Sequence, residues 1–538
     1  MTAIAKLNCL LLAPLLILAG ALAAHGGSFP ASIKYKQTMV RLIQETDVQG
    51  WPTGYTTDKR YPCDIMVSAN GAKVGFLVKL NYFSDKHIFV MNADGTGLVD
   101  LTPNLPAGMS TRTGDIAALQ INDTGSRLFF MDYPNGNIYY FDTSPPYTPH
   151  PAYLPNAFWV PPLKAYALNS DGSRIYLQHF WLVGTPPLTE THNGLCYTDV
   201  GSNTLAPVVD VLSLTPAPTY WGLNFLDAAR TGGNLLFMYY PDYYHDNLQA
   251  MWQFLPLGAM PNERHGWVWS LPWLYTHLMS ADGSKALYNY QDSGGNPQLY
   301  LVNMVSGAKT LLNSNTGEVG FPALSPDGAW ARFFAAGCNA TRVNLATLDK
   351  RDTLSARFPE SGLVGAGNLT DFTADNRYYF MSSDPNPACL HRIDMAPTST
   401  APAPDITSIS FSRPNLILTD TNPVTVTVQV SDPKGLSNIQ SVQMHSLVDG
   451  QESPSGLNSE PLYYTADLVN AGGGLYTTTF IAYKSSNFYT THRLPWPVGV
   501  RIVVRNKDEH YVMADAVINV TTKGALSGTG ARSLLLLD

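Results

Sequence analysis

The sequence has few charged residues. Asp, Glu, Lys and Arg make up 14% of the 538 residues, against about 25% in a typical soluble domain. The net charge is −8 and Lys and Arg form no cluster, so nucleic acid is not an expected partner. Hydrophobic residues still reach 45%, which is enough for the cores of more than one domain. This composition is typical of an exported β protein with many turns.

Motifs for common cofactors and metals are also missing. The five Cys form no C-x-x-C pair, which disfavours zinc, thioredoxin-type redox and c-type haem sites. The chain contains no P-loop, His-Glu-x-x-His, Rossmann glycine pattern or Asp-x-Asp-x-Asp-Gly loop. We therefore expect neither a cofactor nor a metal, and we interpret Asp94 and Asp282 as turn residues rather than calcium ligands. Glycosylation sequons, which matter only in a glycosylating host, occur at Asn122, Asn339, Asn368 and Asn519.

Only the N-terminus carries a long apolar run. Lys6 precedes it, Pro14 interrupts it, and small residues follow near Ala23 and Ala24. This pattern predicts a signal peptide over residues 1–24, and it disfavours the alternative of a membrane anchor. No later stretch is long and apolar enough to span a bilayer. We expect a secreted, periplasmic or cell-surface protein without a transmembrane segment in the mature chain.

A short motif recurs along the chain. Residues 323–334 read ALSPDGAWARFF, and related apolar-turn-apolar stretches occur earlier and later. Gly and Asn suit the turn because both tolerate a positive φ. The spacing ranges from 45 residues (283 to 328) to 60 residues (172 to 232). The turn markers are Gly71, Gly125, Gly172, Gly232, Gly283, Gly328 and Asn376.

Each repeat contains four short strands. The first repeat reads CDIMV, KVGFLVKL, HIFVMN and LVDLT, with turn residues between the runs. Four strands in about 40–50 residues indicate one blade of a β-propeller. We predict an all-β protein with seven blades, six or eight being the alternatives. The last repeat lacks a fourth strand, and we expect residues 33–46 to supply it and close the ring.

The SPDG turn and the tail IFVMNADGTGLVDLT resemble the TolB-type β-propeller repeats (PD40, WD40-like). The resemblance covers about residues 36–396. It implies an architecture but not a chemistry, because the family includes periplasmic scaffold proteins, propeller domains of serine peptidases, and oligogalacturonate lyases. A peptidase needs a Gly-x-Ser-x-Gly elbow, which is absent from this sequence. No lyase signature can be matched residue by residue.

The predicted domains follow from these patterns. Residues 32–396 form the propeller, and residues 397–405 are a Pro/Ala/Thr linker. Alternating strands over 406–522 resemble a bacterial Ig-like or fibronectin-type β-sandwich, a module that serves as a spacer or binding arm. Residues 523–538 form a flexible tail.

Aromatic residues concentrate in one region, where five of the ten Trp lie between 221 and 273. Exposed rings there could stack on sugars or contact a protein, whereas the structural alternative is packing between blades. Polar neighbours support the binding interpretation. The candidate binding residues are Trp221, Tyr244, His245, Trp252, Arg264, His265, Trp267 and Trp269.

The strand before each turn is expected to be innermost and to line a central channel. Alignment on the turns places Asp64, Gln120, His277 and Thr370 at or near equivalent channel-lining positions. A polar lining could hold a ligand, although a water-filled channel explains it as well. Cys338 and Cys389 fall between the second and third strands of two successive repeats. We expect a disulfide between them, with buried thiols as the alternative.

Two functional hypotheses remain open. The first is an exported, non-enzymatic binding or scaffold protein that holds a protein or glycan partner of the cell envelope or exterior. The second is a polysaccharide lyase or hydrolase whose site lies on a loop-rich face. Insertions at 182–195 and 241–266 motivate the second hypothesis, because functional loops lie on rigid scaffolds. Convergent His and acidic residues with a divalent ion would favour the enzyme, and a broad aromatic face would favour the binder.

Overall fold

A computed structural model gives the architecture. It describes residues 28–44, 47, 63–79, 86–109, 116–132, 135–154, 166–183, 190–210, 223–231, 234–239, 251–255, 277–291, 297–313, 320–335, 339–352, 372–383, 389–397, 402–417, 422–447, 465–480 and 496–521. Within these ranges the protein is all-β, as predicted, with short 3₁₀ segments at Thr102–Asn104 and Leu436–Asn438. The chain divides into two compact units, one formed by Met1–Thr38 with Pro397–Asp538 and the other by Met39–Ala396.

Small antiparallel sheets follow one another along residues 39–396. We number strands along the chain, beginning with β1 (Phe29–Ala31) and β2 (Lys34–Gln44). Sheet one contains β3 (Cys63–Val67), β4 (Lys73–Lys79), β5 (Lys86–Asn92) and β6 (Val99–Asp100). Sheet two contains β7 (Ile116–Ile121), β8 (Arg127–Asp132), β9 (Asn137–Asp142) and β10 (Pro149–Tyr153). Sheet three contains β11 (Tyr166–Leu168), β12 (Arg174–Val183), β13 (Glu190–Asp199) and β14 (Ala206–Asp210).

The later sheets follow the same plan. Sheet four contains β15 (Leu223–Ala228), β16 (Leu235–Tyr239) and β17 (Met251–Leu255). Sheet five contains β18 (Lys285–Gln291), β19 (Pro297–Asn303) and β20 (Lys309–Asn313). Sheet six contains β21 (Gly320–Leu324), β22 (Trp330–Ala335), β23 (Asn339–Asn344) and β24 (Lys350–Asp352). Sheet seven contains β25 (Tyr378–Ser383) and β26 (Cys389–Asp394), and β2 lies next to β26 in the strand order. The stretch 182–195, predicted as an insertion, is partly strand, because β12 runs to Val183 and β13 starts at Glu190.

The recurring motif is a turn held by its own side chains. Ser325 Oγ donates to Asp327 Oδ1 at 2.6 Å and accepts the N–H groups of Ala329 and Trp330 at 3.1 and 2.9 Å. Gly328 follows with φ of 64°, a conformation that Gly adopts without strain. The side chain thus satisfies backbone donors that the tight turn would otherwise leave unpaired.

Neighbouring turns are bonded to each other in chain order, and the seventh is bonded to the first. The described backbone bonds, each from N–H to C=O, are Asn70 to Asp123 (3.0 Å), Asp123 to Ser170 (2.8 Å), Ser170 to Arg230 (3.0 Å), Thr231 to Ala281 (2.8 Å), Ala281 to Pro326 (2.8 Å) and Ala374 to Ala69 (2.6 Å). Between the sixth and seventh turns, Asn376 Nδ2 donates to Asp327 Oδ2 at 2.6 Å.

Hydrophobic cores form between successive sheets rather than within them. Phe380 and Leu390 of sheet seven share a core with Val67 and Phe76 of sheet one. Further cores join sheets one and two, sheets two and three, and sheets four to six. A single small sheet has two apolar faces, so it needs a neighbour on each side to bury them.

The other unit consists of two sheets around one core. Its first sheet has the order β1-β27-β29-β33-β32, and β1 pairs antiparallel with β27. The alternation of Val424, Val426, Val428 and Val430 buries one face of β29. Its strands are β27 (Asp405–Phe411), β28 (Asn415–Ile417), β29 (Val424–Ser431), β30 (Ile439–Leu447), β31 (Thr465–Asp467), β32 (Val469–Gly472), β33 (Leu475–Phe480), β34 (Trp496–Asn506) and β35 (Tyr511–Thr521).

Candidate functional site

A buried Asp–His pair joins sheets four and five. Asp227 Oδ1 lies 3.1 Å from His277 Nδ1, and Asp227 Oδ2 accepts the N–H groups of Leu278 and Met279 at 2.7 and 3.1 Å. Asp227 is fully buried and His277 is 8% exposed. A register shift in β15 directly precedes Asp227. Because a buried carboxylate is costly unless it is hydrogen-bonded, these contacts fix the two sheets against each other.

A second polar contact involves sheets one to three. Tyr166 Oη donates to the carbonyl oxygen of Ala118 at 2.6 Å. Burial raises the pKa of Tyr166 well above its usual value, and the nearby Asp64 carboxylate acts in the same direction. Asp64 and Ala118 have φ of 48° and 55°, and each lies at a register shift of its strand. These irregularities occur where the first strands of sheets one and two contribute polar groups, which is a common use of β-bulges.

The predicted channel-lining residues have different surroundings. Asp64, Gln120 and His277 are buried, with 5%, 5% and 8% exposure, whereas Thr370 lies outside the described residues. Asp64 is electrostatically coupled to Tyr166, and His277 contacts Asp227. Their role as the lining of a channel stays a prediction.

Of the eight predicted binding residues, one lies within the described residues. Trp252 lies in β17, where its backbone pairs with that of Met238. The other seven lie outside the described residues, namely Trp221, Tyr244, His245, Arg264, His265, Trp267 and Trp269. A binding surface formed by these side chains stays a prediction.

The remaining candidates concern cysteines and turns. Cys389 is buried in β26, and Cys338 lies outside the described residues, so the disulfide stays a prediction. Asp282 accepts bonds from Ser280 Oγ and Ser284 N at 2.7 and 2.9 Å. Burial opposes ionisation of Asp282, but these bonds outweigh it and lower its pKa. Such local bonds are those of a turn residue.

Three contacts were not anticipated from the sequence. The first is the contact of Asp227 with His277 of the next repeat. The second is the bond from Tyr166 to the carbonyl oxygen of Ala118. The third is the contact of the Arg230 guanidinium with Asp123 Oδ1 at 3.0 Å. Asp227 stands two residues before Ala229, just as Gln120 stands two before Asn122. Alignment on the turns could therefore have indicated Asp227, whereas its partners could not be read from the repeat pattern.

The described residues contain neither a cluster of metal ligands nor a membrane-spanning helix. Across those ranges, no three His, Cys, Asp or Glu side chains come together as metal ligands would. The same part of the chain contains no helix with the length and apolar character needed to cross a membrane.

No family model matches the chain, and no curated protein matches it. Among solved structures, it is similar to an oligogalacturonate lyase in complex with manganese (14% identity, TM-score 0.46, covering 69% of this chain and 97% of that one). It is also similar to TolB from Acinetobacter baumannii (11%, 0.32, covering 57% and 66%). A third is the Pyrococcus horikoshii acylaminoacyl peptidase (10%, 0.39, covering 69% and 58%).

Proposed function

We propose that residues 39–396 form a seven-bladed β-propeller and that the other unit is an Ig-like β-sandwich. The cycle of turn contacts and the shared cores between sheets support the ring. In this arrangement each small sheet is one blade. The position of β2 next to β26 supports its role as the outer strand of the seventh blade.

We further propose that the protein is an exported binding or scaffold protein that holds a protein or glycan of the cell envelope or exterior. The observation that carries this proposal is the environment of Asp227, whose carboxylate is occupied by Leu278, Met279 and His277. A polar group of an inner strand that joins two blades by hydrogen bonds stabilises the scaffold. The partner then binds to the connections between blades, where functional residues commonly lie.

The aromatic residues between 221 and 273 are the proposed contact surface. Their rings offer large contact areas at a low entropic cost on binding. The signal-peptide pattern over residues 1–24 supports export, and the Ig-like unit would act as a spacer or a second binding arm.

A capture experiment tests this proposal. The mature chain, residues 25–538, is immobilised and incubated with native envelope and extracellular extract, and retained proteins and glycans are measured by mass spectrometry. We expect a stoichiometric partner that is lost from a W267A/W269A variant. A V305A variant is the matched control, because Val305 is 80% exposed in a turn of sheet five. If the wild type retains nothing, or if both variants retain the partner equally, the proposed binding surface is wrong.

The same Asp227–His277 contact also favours the alternative, a polysaccharide lyase or hydrolase. A histidine held by a buried carboxylate, as His277 is by Asp227, is an arrangement that orients a catalytic base. The same extract distinguishes the two functions. Shortened or unsaturated glycans that appear with the wild type and not with H277Q would establish the enzyme. Unchanged glycans together with a retained partner would establish the binder.

A further inference from the structure

One junction in the cycle of turns differs from the others. Asp123, Ser170, Ala281 and Ala374 each donate a backbone N–H to the carbonyl of the next turn. Pro326 occupies the same position in the sixth turn, two residues before the Gly. Proline has no N–H, so the sixth turn lacks the donor that these four turns use. The first and fourth turns donate from the next residue, Asn70 and Thr231, but no backbone bond joins the described residues of the sixth and seventh turns.

Side chains replace the missing bond. Asn376 Nδ2 donates to Asp327 Oδ2 at 2.6 Å, and Arg342 donates to the carbonyl oxygen of Asn376 at 3.4 Å. Asp327 is exposed and Asn376 is partly exposed. Such bonds compete with water and cost side-chain entropy. An exposed side-chain contact therefore stands where the other junctions have a backbone hydrogen bond.

The packing between sheets six and seven is also different. The Arg332 guanidinium is fully buried and lies 5.1 Å from the ring centre of Phe372 and 4.8 Å from that of Tyr379. Arg342 lies 3.7 Å from the Trp330 ring. Burial lowers the pKa of Arg342 to about 10, and the charge of Arg332 contributes in the same direction. Two guanidinium groups therefore line this contact, whereas sheets seven and one, and sheets one and two, share clusters of buried aliphatic and aromatic side chains.

We propose that the ring opens locally at the seam between sheets six and seven. The two sheets part reversibly while the other junctions stay closed, and opening exposes Arg332 and the rings of Phe372 and Tyr379. This proposal rests on the ring arrangement proposed above. A local opening of this kind is a conformational device, because it makes an interior surface available without unfolding the chain.

Hydrogen–deuterium exchange of the full chain, followed by mass spectrometry, tests the seam. In the wild type we expect residues 372–383 to exchange faster than the equivalent residues 63–79. Pro326→Ala restores the missing donor, and one backbone hydrogen bond corresponds to about a five- to tenfold change in the opening equilibrium. We therefore expect exchange in 372–383 to slow by about that factor, with residues 277–291 unchanged.

The matched variant is Ala281→Pro. Its turn has the same bonds as the turn at Pro326, with Ser280 in the place of Ser325, so proline fits the backbone there. Loss of the Ala281 N–H should create a second seam and speed exchange in 277–291 by about five- to tenfold, with 372–383 unchanged. Circular dichroism shows whether A281P is folded, and P326A tests the proposal even if it is not.

Three results would overturn the seam. Residues 372–383 could exchange no faster than 63–79, P326A could leave them unchanged, or A281P could speed exchange in all seven sheets at once. The ring itself is tested separately by Phe380→Ala, which should raise amide exchange in residues 63–79 as well as in 372–383. If that variant behaves as expected while P326A does not, the ring stands and only the seam is wrong.

Discussion

At the scale of single residues, one side chain organises most of the turns, and in the fifth, sixth and seventh turns it is a hydroxyl. Ser325 joins its own turn through Asp327 and accepts two backbone N–H groups of the following strand. Ser280 and Thr373 make the corresponding side-chain bonds to Asp282 and Asp375. The repeat is visible in the sequence because a tight turn with a positive φ favours a Ser, Thr or Asn side chain that accepts backbone N–H groups, followed by Gly or Asn.

We expect Ser325→Ala to lower the free energy of unfolding by about 1–2 kcal/mol, because Ala329 and Trp330 lose the acceptor of their N–H groups. Urea denaturation measures the change. The control is Ser144→Ala, an exposed serine, which should cost less than about 0.5 kcal/mol. If the two variants lose equal free energies of unfolding, the Ser325 hydroxyl has no special role in the turn.

The limits of sequence reasoning also appear at this scale. The turns were predictable because their residues interact over five positions. The partners of Asp227 were not predictable, because Leu278 and Met279 lie 51 and 52 residues away. No local pattern marks a carboxylate that binds the backbone of the next repeat. The aromatic surface remains a prediction for a different reason, since seven of its eight residues lie outside the described ranges.

At the scale of elements, packing between sheets depends on small residues in the strands. Gly75 of β4 faces Leu128 of sheet two, and a Cβ at Gly75 would lie 2.4 Å from Leu128 Cδ1. Leu128 is fully buried. The glycine therefore lets two neighbouring sheets approach closely.

We expect Gly75→Ala to destabilise the protein by about 1–3 kcal/mol through overpacking. Leu128→Ala alone should cost about 2–5 kcal/mol because it leaves a cavity. The double variant should lose less than the sum, since each change makes room for the other. Urea denaturation of the four proteins completes the double-mutant cycle, and additive losses would show that the two sheets do not pack through this pair.

At the scale of the whole molecule, contacts between the seventh and the first sheet link residues that are far apart in sequence. Strand patterns predicted the all-β class and the repeats, but they could not show which sheets share a core, because every repeat presents similar apolar faces. Phe380 and Phe76 belong to one buried cluster although about 300 residues separate them. The bond from Ala374 N to Ala69 O joins the same two sheets. The stability of the first sheet is therefore expected to depend on the last.

This dependence gives the prediction that tests the ring. Phe380→Ala removes a fully buried ring from the core shared by sheets seven and one, so amide exchange should rise in residues 63–79 as well as in 372–383, with 277–291 unchanged. Phe333→Ala, in the core of sheets four to six, is the matched control and should raise exchange in 277–291 but not in 63–79. If F380A leaves 63–79 at the wild-type rate, sheets seven and one do not form a common core in solution, and the seven sheets form an open row rather than a ring.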